Sequence, residues 1–268
     1  VWKRLVDHQP TIFFGVPTLY ASLLADPVAP PRGELALRLC TSAGEALPRP
    51  IGEHWQERYG TDILDGIGST EMFHIFLSNR AGDVSYGTTG YPVDGYELRL
   101  VDEVGQAVPE GEVGELHVKG PTSSIGYWCN REKTQATFLG EWTRTGDKFT
   151  RNAEGRYVYC GRSDDMLKVS GIYVSPFEVE TTLLSHEAVA EAAVVAWADD
   201  QGLIKPKAFI VLNAGKEPTP ELESELKAHV KQSLAPYKYP RWIEFRDSLP
   251  KTATGKIERY KLRQPVNG

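Results

Sequence analysis

The stretch "DGIGSTEMFHIF", from Asp65 to Phe76, is the strongest local signal in the sequence. A strand-like run ends in a Gly-Ser-Thr turn, and an acid, Glu71, follows at once. Such a turn offers hydroxyl and backbone N–H groups to an anion, and a carboxylate beside it suits a magnesium ion that bridges phosphate oxygens. An ordinary turn into a helix, with an acid placed favourably in the helix dipole, explains the same residues. The segment alone therefore leaves both interpretations open.

The residues before this stretch alternate between strand-like and helix-like segments. "TIFFGV", "LRLCTS" and "DILDGIG" are strand-like, whereas "PTLYASLLA" has proline in its first helical turn. Ile51, Trp55 and Tyr59 recur every fourth residue and mark one face of a second helix. This alternation predicts a parallel sheet with helical crossovers, which is an α/β fold.

Two changes of pattern follow along the chain. Between Gly87 and Tyr159, apolar and polar residues alternate between glycine-rich turns, which predicts antiparallel β structure in a small barrel or sheet. After Asp165, the sequence from Ser175 to Glu178 has the form of a capping box with proline at the first helical position. A second helix begins at Thr219, and strands flank both helices. This last part is predicted to be a separate α+β domain of about a hundred residues.

Composition narrows the possible functions of the 268-residue chain. The net charge of −6 and the scattered basic residues argue against a nucleic-acid partner, and no apolar run reaches the length of a membrane span. Cys40, Cys129 and Cys160 are odd in number and lack metal-ligand spacing, so we expect buried thiols in a reducing, cytoplasmic compartment. The chain begins at Val1 instead of Met, which suggests a piece of a longer protein.

Three further segments carry possible chemistry. In "WTRTGDKF", Asp147 suits either the two hydroxyls of a ribose or an Asx turn. "GRSDDMLKVSG" places charges at the predicted domain junction, which suits either a hinge or a solvated loop. In "DSLPKTATGKIERYKL", Lys256 is a point charge on a flexible loop, and Pro250 and Ile257 exclude a nucleoside-triphosphate loop. "GTTGYP", residues 87–92, lacks a lysine and is interpreted as a turn.

The order of these segments resembles that of a known superfamily. "GSTE", "GEL", "RTGD", "GRSDDMLKVSG" and "PKTATGKIER" are similar to the successive motifs of adenylate-forming enzymes, which include acyl- and aryl-CoA ligases. "SAGEAL", residues 42–47, and "DGIGSTEMFHIFLSNR" resemble the benzoate-CoA ligase group in particular. The resemblance implies part of the large α/β adenylation domain, with a small β-barrel-like portion, over residues 1–163. It implies a small, mobile α+β C-terminal domain over residues 164–268. The Ser/Thr/Gly-rich phosphate loop of the superfamily is missing, which implies the C-terminal portion of such an enzyme.

The resemblance also implies a reaction and a role for individual residues. ATP and Mg²⁺ would activate an aromatic carboxylate as an aryl-adenylate, and coenzyme A would then displace AMP. Thr70 would contact the α-phosphate, Glu71 would hold the magnesium, Lys256 would supply charge where the bond forms, and Asp164 would be the hinge. The implied nucleotide and coenzyme A contacts are Glu45, Gly68, Ser69, Asp147, Arg162, Ser170 and Gly171. The implied aryl-pocket residues are Ala43, Gly44, Gly68, His74 and Ile75.

Two alternatives accompany this interpretation. The acceptor could be another thiol, such as that of a carrier protein, or the chain could be a non-catalytic fragment that binds a nucleotide. The expected partners are a small aromatic carboxylate and coenzyme A, in a monomer or a homodimer. Benzoate and its hydroxy, amino and halo derivatives all stay open as substrates.

Overall fold

The chain consists of two compact units, residues 1–159 and 160–268. The structure, a computed structural model, describes residues 1–169, 171–252 and 255–263. The second unit begins at Cys160, whereas the sequence predicts that the second domain begins at Asp164. Strand β10 straddles this boundary, so the division by packing falls inside a strand and the predicted hinge falls after it.

The first part of unit 1 is the expected alternation of helices and parallel strands. Its helices are α1 (Trp2–His8), α2 (Pro17–Ala25) and α3 (Arg49–Tyr59), and its strands are β1 (Ile12–Gly15), β2 (Leu39–Ser42), β3 (Ile63–Gly68), β4 (Ile75–Ser78) and β5 (Tyr91–Pro92). β1, β2 and β3 pair in parallel, and β4 and β5 extend the sheet in antiparallel fashion. This arrangement confirms the α/β prediction.

Aromatic packing holds the helices against this sheet. Trp55 and Tyr59, one helical turn apart on α3, are both buried, and Trp2 stacks on Trp55 with ring centroids 6.0 Å apart. The edge of the buried Tyr20 ring meets Trp55 at 4.9 Å. Each buried ring of this size stabilises the fold by about 1.5–3 kcal/mol, so this cluster fixes the strands that lead to the site.

The second part of unit 1 is the expected antiparallel sheet. Its elements are β6 (Glu97–Val101), β7 (Gly114–Lys119), α4 (Arg131–Thr137), β8 (Phe138–Leu139), β9 (Trp142–Arg151) and β10 (Tyr157–Arg162). The strand order is β10-β9-β7-β6, with β8 on β9. Alternate residues such as Leu116 and Val118 point into a core that also contains Met72 and Phe76. The two sheets of the unit therefore share a core next to the Gly-Ser-Thr turn.

Unit 2 is the expected α+β unit. Its elements are β11 (Leu167–Val169), β12 (Ile172–Val174), α5 (Pro176–Leu184), β13 (Val189–Ala198), β14 (Ile204–Leu212), α6 (Pro220–Ser233) and β15 (Trp242–Phe245). β13 and β14 are antiparallel, and β15 joins β14 in parallel. Val179 and Leu183 of α5 pack with Leu226 and Val230 of α6 in one core.

Two details of the sequence-based expectations are corrected. Ser175 caps α5 by accepting from the N–H of Glu178 at 3.1 Å, but the Glu178 carboxylate binds Lys238 Nζ, so the capping box is only half formed. Cys40 and Cys160 are buried as expected, whereas Cys129 is exposed because it lies in a surface loop, with φ 49°, just before α4. Every helix in the described part of the chain is too short or too polar to cross a lipid bilayer.

Candidate active site

The parallel strands place two of the predicted segments at one edge of the sheet. β2 ends at Ser42, and β3, which pairs with it in parallel, ends at Gly68. The segment from Ala43 to Glu45 therefore leaves the sheet at the edge where the Gly-Ser-Thr turn begins. The carboxyl ends of parallel strands are the usual location of ligand sites in α/β folds.

The turn after β3 is tightly folded. The Ser69 hydroxyl accepts from the N–H of Met72 at 3.3 Å and caps a short 3₁₀ turn over Thr70–Met72. Phe73 has φ 70° and ψ −49°, and the N–H of His74 reaches the Met72 carbonyl at 2.8 Å across it. This γ-turn with positive φ is a strained conformation, of the kind that clusters at functional sites.

Gly68, His74 and Ile75, three of the predicted pocket residues, lie together. Gly68 pairs with Ile75 across β3 and β4. A Cβ atom at position 68 would lie 2.2 Å from the carbonyl oxygen of His74, so only glycine allows this approach. His74 is exposed and Ile75 is half-buried.

Glu71, the predicted magnesium ligand, is held by a residue that the sequence did not single out. The Tyr127 hydroxyl donates to Glu71 Oε1 at 2.5 Å, and the N–H of Ser124 donates to the Glu71 carbonyl at 2.8 Å. Burial alone would raise the pKa of Glu71, but the Tyr127 hydroxyl, Ser69 and the charge of Lys133 outweigh it and hold the pKa below its ordinary value. Glu71 is therefore an anion at neutral pH.

The donor set around Glu71 fits a magnesium ion that arrives with a nucleotide. Within residues 1–169, 171–252 and 255–263, no group of three or more His, Cys, Asp or Glu side chains could hold a metal ion. Magnesium is commonly bound by one or two carboxylates together with substrate phosphates and water. A single ionised carboxylate beside the Gly-Ser-Thr turn suits this mode.

Asp147, the predicted ribose contact, lies in the middle of β9 and is buried. Its N–H donates to the Thr145 hydroxyl at 3.1 Å, and that hydroxyl donates to the Leu116 carbonyl at 2.9 Å. Gly146, between them, has φ 73°. The neighbouring threonine and glycine therefore set the backbone at Asp147.

Asp65 is a second residue whose importance the sequence reasoning missed. Its carboxylate is buried in β3 and accepts from the N–H of Leu47 at 3.2 Å and from the Thr89 hydroxyl at 3.4 Å. Burial raises the pKa of Asp65 to about 7, although these hydrogen bonds work in the opposite direction. Asp65 thereby links β3 to the end of the "SAGEAL" segment and to the "GTTGYP" turn. A charged residue inside the apolar run "DILDGIG" was the available signal.

Four of the remaining predicted residues belong to the start of unit 2. Arg162 Nε lies 3.7 Å from Asp164 Oδ1, and Arg263 donates to the Asp164 carbonyl at 3.2 Å and to the Asp165 carboxylate. Gly171 has φ 84°, with open space where a Cβ would lie. Ser170 lies outside the described residues.

Lys256 lies on a loop whose base is anchored. The residue is exposed, and its backbone exchanges hydrogen bonds with Thr252, from Thr252 N–H to the Lys256 carbonyl at 2.8 Å and from Lys256 N–H to Thr252 Oγ1 at 3.1 Å. Lys251 and Ile257 form a β-bridge. Three residues after the lysine, Arg259 pairs with the buried Glu180 of α5 at 2.7 Å. The loop is thus attached to the body of unit 2.

The structure gathers the Gly68–Glu71 turn, His74 and Ile75 in one place, and sets Ala43, Gly44 and Glu45 at the end of the neighbouring strand. Asp147 lies on the second sheet of unit 1, while Arg162, Asp164, Gly171 and Lys256 belong to unit 2. The functional roles of these residues stay predictions.

Two family models match the chain. The AMP-binding enzyme model matches residues 1–128, and the AMP-binding enzyme C-terminal domain model matches residues 178–256. The benzoate–CoA ligase of Thauera aromatica is 68% identical over 264 residues, which are 98% of this chain and 50% of that protein. The chain spans about half the length of the relatives it matches.

Solved structures give the same result. Crystal structures of a benzoate CoA ligase from Burkholderia xenovorans LB400 match with a TM-score of 0.93 and 62% identity, over 98% of this chain and 53% of that one. The anthranilate CoA ligase AuaEII in complex with anthranoyl-AMP matches with a TM-score of 0.92 and 52% identity, over 96% of this chain and 50% of that one. With its motifs in the same order and its fold shared along almost its whole length, the chain belongs to the AMP-binding, adenylate-forming enzyme family.

Proposed function

We propose that the chain takes part in AMP-forming aryl-CoA ligation. An aromatic carboxylate attacks the α-phosphate of ATP, which gives an aryl-adenylate and releases pyrophosphate. The thiol of coenzyme A then attacks the acyl carbon, which gives the aryl thioester and releases AMP. The observation that carries this proposal is the 68% identity with a benzoate–CoA ligase over 264 residues, a span that includes the turn around Glu71.

In the first half-reaction, negative charge gathers on the transferring phosphate, so stabilisation by fixed charges and donors dominates. Thr70 is an exposed residue of the Gly-Ser-Thr turn, and its hydroxyl contacts the α-phosphate in this proposal. Glu71 is ionised at neutral pH and would hold Mg²⁺, which when bound neutralises part of the phosphate charge. Asp147 accepts from the ribose hydroxyls with the help of Arg162, Glu45 lines the adenine site, and Lys256 supplies positive charge at the α-phosphate.

In the second half-reaction of this proposal, unit 2 presents a different surface to the same aryl-adenylate. Asp164 is the proposed hinge, and rotation about it withdraws Lys256. The segment that contains Gly171 then reaches the site, where the open space beside this glycine leaves room for the pantetheine arm of coenzyme A.

The proposed substrate is a small aromatic carboxylate. Ala43, Gly44 and Gly68 have little or no side chain and leave space for a flat ring, with His74 and Ile75 beside it. Benzoate is the first substrate to test, and 2-aminobenzoate the second, because one similar structure contains anthranoyl-AMP. ATP and coenzyme A are abundant in the cytoplasm, where we propose that the reaction occurs.

A different acceptor is the second candidate. The amide bond synthetase McbA from Marinactinospora thermotolerans shares the fold, with a TM-score of 0.88 at 27% identity, so the fold also accommodates an acceptor other than a thiol. Formation of free aryl-CoA from aryl-adenylate and coenzyme A supports the proposed acceptor. Consumption of the adenylate only by a carrier-protein thiol or an amine would favour the alternative.

The decisive experiment is pyrophosphate release with benzoate, ATP and Mg²⁺. It is measured on this chain and on an extended chain, in which the remaining length of the Thauera aromatica relative is supplied. Benzoate-dependent release by the extended chain supports the proposal. Nucleotide binding without any release in the extended chain would favour a non-catalytic nucleotide-binding role.

A further inference from the structure

The segment between β7 and α4 contacts the turn that carries Glu71 at three points. In this clamp loop, residues 120–130, the Thr122 hydroxyl donates to the Met72 carbonyl at 2.7 Å, and the N–H of Ser124 donates to the Glu71 carbonyl at 2.8 Å. The third contact joins the Tyr127 hydroxyl to Glu71 Oε1 at 2.5 Å. The first two contacts fix the backbone of the turn, and the third fixes the carboxylate.

Three contacts made by the backbone and the ring of Tyr127 fix the direction of its hydroxyl. Its backbone N–H donates to the Thr134 hydroxyl at 2.9 Å, and its ring packs on Phe138 with centroids 5.7 Å apart. The ammonium of Lys133 lies 4.2 Å from the ring centroid. These contacts hold the half-buried phenol without using its oxygen, so the hydroxyl is directed at Glu71.

We propose that Tyr127 is a positioning residue for Glu71, which holds the carboxylate in the orientation that receives a divalent cation. A phenol donates a hydrogen bond without carrying a charge itself, so the bond from Tyr127 leaves the negative charge of the carboxylate in place for a cation. Residues that orient a metal-binding carboxylate typically contribute about 10–100-fold to metal affinity. This inference rests on the proposed function, because it assumes that the cation enters with the nucleotide.

The test removes a single hydroxyl. Tyr127→Phe keeps the ring contacts with Phe138 and Lys133 and is expected to fold, which circular dichroism and the melting temperature check. The matched control is Tyr96→Phe, because the Tyr96 hydroxyl bonds Thr122 of the same loop at 2.8 Å. The probe is Mn²⁺ together with a non-hydrolysable ATP analogue. Mn²⁺ binding to the extended chain is measured from the electron paramagnetic resonance signal of the Mn²⁺ that stays free in solution. The Mg²⁺ dependence of pyrophosphate release gives a second readout.

We expect Tyr127→Phe to weaken Mn²⁺ binding by about tenfold, to raise the Mg²⁺ concentration for half-maximal rate by a similar factor, and to leave the KM for benzoate unchanged. Tyr96→Phe is expected to leave all three unchanged. In a Glu71→Gln background, Tyr127→Phe should have little further effect, because it acts through Glu71.

Equal Mn²⁺ affinity in Tyr127→Phe and the parent, no Mn²⁺ binding in either, or a parallel loss in Tyr96→Phe would overturn the assignment. Mn²⁺ binding that depends on Tyr127 in a chain that releases no pyrophosphate would support the assignment and count against the proposed function. The two proposals therefore fail separately.

Discussion

At the scale of single residues, Asp65 should make the free energy of unfolding of the chain depend on pH. Burial raises its pKa to about 7 from an ordinary value of 3.8, so the folded state keeps a proton that the unfolded state releases. The stability that this group contributes is complete below the lower value and is lost as the pH rises to about 7. Relative to Asp65→Asn, the parent should lose on the order of 2–4 kcal/mol of unfolding free energy between pH 4 and pH 7.

Urea unfolding at several pH values, followed by circular dichroism, measures this difference. Asp94→Asn is the control, because the Asp94 side chain is fully exposed. A stability difference between Asp65→Asn and the parent that stays constant with pH would show that folding leaves the pKa of Asp65 unchanged, which would contradict the prediction.

Substitution of Lys256 should affect the two half-reactions differently. In the extended chain, we expect Lys256→Ala to slow aryl-adenylate formation by about 10²–10³-fold, because a charge at the reacting phosphate is lost. Thioester formation from supplied aryl-adenylate should be largely spared. Stopped-flow or quenched assays of each half-reaction give the measurement.

Lys251→Ala is the matched control for this prediction, since Lys251 lies in the same loop but pairs with Glu191 at 2.7 Å. Both half-reactions should continue in that variant. If Lys256→Ala slowed both halves equally, Lys256 would not be confined to the adenylation step.

Groups that lie together in the chain could be predicted from the sequence, and contacts between residues far apart in the chain could not. The residues of the Gly-Ser-Thr-Glu turn are adjacent in the sequence, so the sequence alone places their hydroxyls and carboxylate close together. Tyr127 lies 56 positions from Glu71, and the two meet only because the two sheets of unit 1 share a core. Asp65 was visible as an acid in a strand, but its partners Leu47 and Thr89 come from two other segments.

At the scale of secondary-structure elements, the cap of α5 should contribute more to stability than the cap of α6. Among the described residues, the Thr219 hydroxyl accepts from the N–H of Leu222 alone, at 3.1 Å. The buried Ser175 hydroxyl accepts from the N–H of Glu178 and also donates to the Cys160 carbonyl. Thr219→Ala should cost about 1 kcal/mol. Ser175→Ala should cost about 2–3 kcal/mol, because a buried carbonyl also loses its hydroxyl donor.

Urea unfolding of the two variants beside the parent provides the comparison. Equal losses would mean that the bond from Ser175 to the Cys160 carbonyl adds nothing to the cap.

The elements that the sequence predicted well are those with a clear period. α3 and α6 repeat apolar residues every three or four positions, and polar and apolar residues alternate over Glu97–Leu100 of β6 and Glu115–Lys119 of β7, so their type followed from pattern alone. β4 and α4 were missed. β4 has four residues and follows the strained turn at Phe73 directly, and α4 has seven mostly polar residues, none of them buried. Neither element is long or amphipathic enough to produce a periodic signal.

At the scale of the whole molecule, the chain divides into two units, and the prediction that Asp164 is the hinge between them can be tested by substitution. Proline at position 164 fixes φ and restricts the residue before it, so Asp164→Pro in the extended chain should limit rotation of unit 2. We expect aryl-adenylate to form at a near-normal rate and aryl-CoA to appear at least tenfold more slowly. The measurement is the accumulation of aryl-adenylate relative to aryl-CoA by chromatography.

Asp164→Ala, which leaves the backbone free to rotate, should retain both half-reactions and is the control. Unchanged aryl-CoA formation in Asp164→Pro would move the hinge elsewhere, for example to the boundary at Cys160.

The anchoring of the Lys256 loop has a consequence for the speed of the proposed cycle. Arg259 ties the loop to the buried Glu180, so we expect the lysine to move together with unit 2 and not on a short flap of its own. In the proposed cycle, its arrival and departure would carry a body of about a hundred residues through solvent. Friction with the surrounding liquid then opposes each turnover, and added viscogens such as sucrose should slow the complete cycle more than either half-reaction measured in isolation.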